Sequence, residues 1–109
     1  MDDAAPLRHV AFDARPLLEP RGGLRRYLAE LLPALADAAP GIAWTGIATA
    51  RTADPPPGPF RWEVVRGPNA SALRFAWEGF PLSAALRALR PDVFFSPWGA
   101  VPGNPRVPV

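Results

Sequence analysis

The sequence predicts an α/β fold built on a Rossmann-like, mostly parallel sheet with flanking helices. Three observations carry that prediction. Apolar runs of strand length alternate with stretches of helical periodicity. The first strand leads through a loop ending in a glycine pair, Gly22-Gly23, into a long amphipathic segment. Prolines and glycines fall mostly between the periodic segments, where they act as loop punctuation. Open sheets of this kind bind ligands beyond the carboxyl ends of their strands.

Strand one is read over residues 8–13, apolar enough to be covered on both faces as central parallel strands are. From Leu24 the apolar stripe is Leu24, Tyr27, Leu28, Leu31, Leu32, Leu35 and Ala36, with Arg26, Glu30, Pro33 and Asp37 on the opposite stripe. That predicts a helix over 23–38, bent at Pro33 and stopped by Pro40-Gly41. Residues 42–48 read as strand two, with Gly46 marking close backbone packing. Asp54-Pro55-Pro56-Pro57-Gly58-Pro59 is a stiff, extended connector to a half-buried strand over 60–66, in which Phe60, Trp62 and Val64 share one face. Ser71 is placed as the N-cap of a second helix, with Arg74 and Glu78 paired at i, i+4 on its exposed side. Pro81 interrupts it and opens a further segment carrying Leu82, Leu86 and Leu89, which Pro91 ends. Residues 92–96 form a short buried strand, 97–105 a loop, and 106–109 the lip of another strand. An apolar sheet edge left there favours self-association and a place within a larger protein.

The chain has 109 residues, enough for one small domain over 1–109. Hydrophobic residues make up 49% and charged residues 20%, a globular composition despite 16 prolines and 9 glycines. All twelve basic residues are arginine, the formal charge is +2, and no basic run exceeds Arg25-Arg26, so a nucleic-acid or membrane-surface footprint is not supported. With no cysteine there are no disulfides and no thiolate metal sites, and a single histidine, His9, cannot build a usual metal centre. No signal-peptide or membrane-spanning run is present in the sequence, which makes the cytoplasm the expected location.

The candidate binding residues cluster at the carboxyl edge of the predicted sheet. Gly22 and Gly23 would let an anion approach the helix N-terminus, or serve only as a flexible turn. Arg25 and Arg26 lie in the first helical turn, where positive charge opposes the dipole unless an anion is bound; the alternative is a pair of solvated surface side chains. Asp13 and Arg15 would bond a sugar hydroxyl or a phosphate, or pair with each other to hold the loop. Ser96, Trp98 and Asn104 follow the fourth strand, Trp98 as a sugar-stacking platform or as loop packing. Trp44, Trp62 and Trp77 are assigned to the core. No nucleophile–base–acid set is seen, so no catalytic residue is assigned.

The chain carries in order Phe12-Asp13-Ala14-Arg15, Gly23-Leu24-Arg25-Arg26-Tyr27, Leu31-Leu32-Pro33-Ala34-Leu35, Trp77-Glu78 before Phe80-Pro81-Leu82, and Pro91-Asp92-Val93 leading to Phe95-Ser96-Pro97. In that order of motifs it resembles the N-terminus of family 4 glycosyltransferases, retaining enzymes of GT-B fold that use nucleotide-diphosphate sugars. The closing Val107-Pro108-Val109 looks like the strand before the family's His-Asp motif. Two departures stand out. Arg25 occupies a place where the family often has a small residue, and neither the His-Asp motif nor the C-terminal nucleotide-sugar domain with its paired glutamates is present in this sequence. The resemblance therefore implies an acceptor-side half-domain, inactive alone, with Gly22, Gly23 and Arg26 near the donor phosphates or acceptor. Asp13, Ser96 and Trp98 would line the cleft. It implies a nucleotide-sugar donor and a sugar or glycan acceptor as partners, and no other cofactor. A stand-alone α/β ligand- or partner-binding module and a flavodoxin-like phosphate binder are the other readings of the same residues.

Overall fold

A computed structural model of the chain describes residues 8–18, 22–67, 77–78 and 81–97. It contains a four-stranded, all-parallel sheet: β1 (His9–Asp13), β2 (Ala43–Ala48), β3 (Phe60–Val64) and β4 (Val93–Phe95), in the order β3-β2-β1-β4. A 3-10 turn, Arg15–Leu18, follows β1; α1 is Gly23–Ala38 and α2 is Pro81–Leu89. Residues 77 and 78 are helical as well. The chain walks outward from β1 to β3, then returns to the other side of β1 for β4. Right-handed crossovers in opposite directions put helices on opposite faces, the doubly wound pattern whose ligand crevice opens where the order reverses. Here that point lies between β1 and β4.

The two faces of the sheet carry separate cores. Val10, Phe12, Trp44 and Ala48 pack with Leu28 and Leu32 of α1, while Ala11, Ile47 and Phe94 pack with Trp77 and with Leu82 and Leu86 of α2. Alternate residues of each strand divide between these cores, as the two-residue period requires. The register sets His9 against Ala43 and Val10 against Val93, and continues from Trp44 against Phe60 to Ala48 against Val64.

The expected element types are all present where the chain is described, and α1 has the predicted bounds. Two expectations on the apolar faces are corrected. Only Leu28, Leu32 and Ala36 of the α1 stripe are buried, and Tyr27 is about half exposed, because the helix meets the sheet along a narrower line than its apolar arc. Trp62 is not core: β3 lies at the sheet edge, beyond α1, and its indole remains 36% exposed. Proline begins α2 as expected, and the helix ends at Arg90, in the left-handed region at φ 51°, whose N–H donates to the Leu86 carbonyl at 2.9 Å. The expected helix N-cap at Ser71, the loop after Pro97 and the strand over 106–109 lie outside the described residues.

Candidate functional site

The carboxyl end of β1 is occupied by a buried ionic cluster. The Asp13 carboxylate accepts from the Arg15 backbone N–H at 3.0 Å, an i to i+2 contact that turns the chain out of the strand. It also accepts from the Arg15 guanidinium, with Nε at 2.9 Å and Nη2 at 2.6 Å. Nη2 donates in addition to Glu78 Oε2 at 2.6 Å, and the guanidinium carbon lies 4.4 Å from the centre of the Trp77 ring. Asp13 and Arg15 are essentially inaccessible and Glu78 nearly so. Burial pulls the Arg15 pKa down, and hydrogen bonds and charge from Asp13 and Glu78 outweigh it, leaving the group raised above its ordinary value. Trp77 is itself fixed by donating from Nε1 to the Val65 carbonyl at 2.7 Å. The cluster joins the loop after β1 to the chain that follows β3.

The glycine turn lies at the N-terminus of α1, which faces the same carboxyl edge. Gly22 has φ 136° and ψ 158°, a conformation open essentially to glycine alone, and its carbonyl accepts the Arg26 N–H at 3.1 Å. Among the described residues no side chain caps this helix end. Among the described residues, a methyl group at Gly22 or Gly23 would meet nothing within 4 Å. Arg26 is exposed and bonded to Glu30 at 3.3 Å, an i, i+4 pair on the surface. Arg25 is half-buried, with a shielded Nε that bonds to no described group. Ser96 follows β4 across the crevice, half-buried, its shielded Oγ also unbonded. The first turn of a helix with this dipole direction and no side-chain cap is suited to an anion.

A second concavity opens over β2 and β3. It has a volume of about 810 Å³ and is lined by Gly46, Ala48, Arg51, Thr52, Trp62 and Arg66 among others.

No protein family, curated protein or solved structure matches this chain.

Of the sequence-predicted residues, Asp13 and Arg15 are brought together, and Arg15 is further held by Glu78 and covered by Trp77. Gly22, Gly23 and Arg26 occupy the helix entrance, and Ser96 lies at the end of β4. Trp98 and Asn104 fall outside the described residues. Glu78 was expected on an exposed helix face beside Arg74; instead its carboxylate is buried against Arg15. Its partner lies 63 residues away, and helical spacing carries no trace of such a contact. The cleft over β3 was also missed, since its aromatic wall, Trp62, reads as core wherever the edge position of its strand is unknown.

His9 lies at the opposite, amino edge, sharing a 2.8 Å hydrogen bond with Thr45 Oγ1. Beside it, the Asp92 carboxylate accepts from the backbone N–H groups of Arg8 and His9, each at 2.9 Å, and these hold its pKa below the ordinary carboxylate value. Among the described residues no group of three acidic, histidine or cysteine side chains is placed to hold a metal, and no helix is long and apolar enough to cross a membrane.

Proposed function

We propose that this chain is the acceptor-side, N-terminal domain of a retaining glycosyltransferase of GT-B type, transferring a sugar from a nucleotide-diphosphate sugar to an acceptor. One observation supports it above the others: Gly22 opens α1 at the carboxyl edge of a parallel sheet, inside the Asp13-to-Tyr27 run on which the family resemblance rests. In this reading the first-turn amides of α1 and Arg26 meet the donor diphosphate. Ser96 faces the acceptor across the crevice. Asp13 and Arg15, tied to each other and to Glu78, hold the loop that presents the glycine turn. The catalytic contribution of such a domain is electrostatic stabilisation of the leaving diphosphate together with positioning of the acceptor. Nucleotide recognition belongs to a second domain, so the 109 residues alone are inactive. The donor is a co-substrate rather than a cofactor, and the reaction is cytoplasmic.

Amide NMR on the 109-residue chain tests this. Millimolar UDP- or GDP-sugar should move the amides of Gly22, Gly23 and Arg26 weakly, in fast exchange, without a resolved change in the thermal midpoint. A ligand at 100 times its Kd adds about 2.7 kcal/mol, several degrees for a domain of this size. A clear thermal shift would instead identify a stand-alone nucleotide-binding module. Silence at those three amides would remove the glycine turn from donor binding, and the transferase reading with it.

A further inference from the structure

We propose that the cleft over β2 and β3 is a binding site for a ring-bearing phosphate ester, distinct from the glycine turn and independent of the transferase reading. Its volume of about 810 Å³ lies within the range of small-molecule pockets, roughly 300–1,000 Å³. Its floor is made of small residues, Gly46, Ala48 and Ala50. A methyl group on Gly46 would come within 2.6 Å of the Trp62 ring, so the missing side chain is what lets the indole lie down across β2. Phe12 and Phe60 hold that indole from the core side, at ring-centre distances of 5.8 and 5.9 Å. The rest of the ring is open to the cleft, where a sugar ring or a base can stack on it.

Two arginines supply the charge. The β2–β3 ladder continues one residue beyond β3, with the Val65 N–H donating to the Ala48 carbonyl at 2.8 Å. Arg51 and Arg66 therefore leave neighbouring strands at the same edge, with backbones roughly 5 Å apart where the strands end. Both are exposed, both line the cleft, and neither is paired with a carboxylate among the described residues. Glu63 lines it too, but alternation with Trp62 turns its side chain toward the other face of β3. Two guanidinium groups lining one cleft repel one another until an anion joins them. A phosphate monoester, with a charge of about −1.5 to −2 and three acceptor oxygens, can be gripped by both forks at once. The Thr52 hydroxyl is at hand for a ligand hydroxyl. Sugar phosphates and nucleoside monophosphates share this chemistry.

The test uses the four tryptophan indole N–H signals of the isotope-labelled chain, with W62F assigning that of Trp62. Glucose 6-phosphate and AMP are titrated beside glucose, adenosine and inorganic phosphate. At least one ester should shift the Trp62 indole and the Arg51 and Arg66 amides, binding at least about tenfold tighter than its neutral parent and than inorganic phosphate. R51Q and R66Q should each weaken it about tenfold at an unchanged thermal midpoint, since both side chains are exposed. The preferred ester tells sugar from nucleotide. Equal binding of the neutral parent or of inorganic phosphate, indifference to both arginine variants, or no shift at about 10 mM ester overturns the proposal. Shifts confined to Gly22, Gly23 and Arg26 also overturn it, while supporting the glycine turn; the two sites thus fail separately.

Discussion

Arg15 keeps its charge at 1% exposure because Asp13 and Glu78 both reach it and Trp77 covers it. Removing one member of such a cluster leaves a buried charge short of a partner, which typically destabilises by about 3–5 kcal/mol. D13A should fall in or just below that range, because Glu78 remains; urea unfolding measures it, and a loss under about 1 kcal/mol would show that water reaches the cluster. The i to i+2 spacing of Asp13 and Arg15 was legible in the sequence as a loop-holding pair, one of two readings. The third member was not, because Glu78 joins only once β1 and the chain after β3 are brought together. Asp92 offers a pH test at the other edge of the sheet. Its folded-state pKa is lowered by the Arg8 and His9 amides, so its stabilisation is present above the ordinary carboxylate pKa of 3.8 and is lost as pH falls through the lower folded value. The Arg8 and His9 amide shifts should therefore titrate with a midpoint below 3.8. A midpoint at or above 3.8 would mean that those bonds do not persist in solution.

Two neighbouring glycines separate backbone demand from space at the start of α1. Gly22 has φ 136°, so G22A should cost about 1–2 kcal/mol although no described residue blocks the new methyl group. Gly23 has neither constraint, and G23A should be neutral or stabilising by up to about 1 kcal/mol. Thermal unfolding of the pair checks this, and equal effects would refute the left-handed turn. Gly46 is the opposite case. Its β2 position is crowded by the rings of Trp62 and Phe12, and G46A should lose about 1–3 kcal/mol by forcing the indole off the strand. The sequence marked Gly46 as a close-packing point without saying against what. Helix bounds were legible because periodicity is a local property. The exposure of Tyr27 and Trp62 was not, because it depends on which strand lies under the helix and which lies at the edge.

Across the whole molecule, the order β3-β2-β1-β4 divides the sheet into a protected centre and a lighter edge. β1 is paired on both sides and buried from Val10 to Asp13, whereas β3, among the described residues, pairs only with β2 and exposes Arg61, Trp62 and Glu63. Alternating apolar runs were enough to read a parallel α/β sheet. The strand order was not legible, since it follows from crossover directions that no local pattern encodes. Native-state hydrogen exchange should find β1 amides opening only with global unfolding and β3 amides exchanging at least about tenfold faster, through local release of the edge. A ligand held between β2 and β3 binds the closed edge alone, so by linkage it must slow β3 exchange, whereas a ligand at the entrance of α1 leaves the β3-to-β1 ratio unchanged. Equal protection of β3 and β1 without ligand would mean that the edge opens only with the core, making the wall of the cleft a fixed part of the fold.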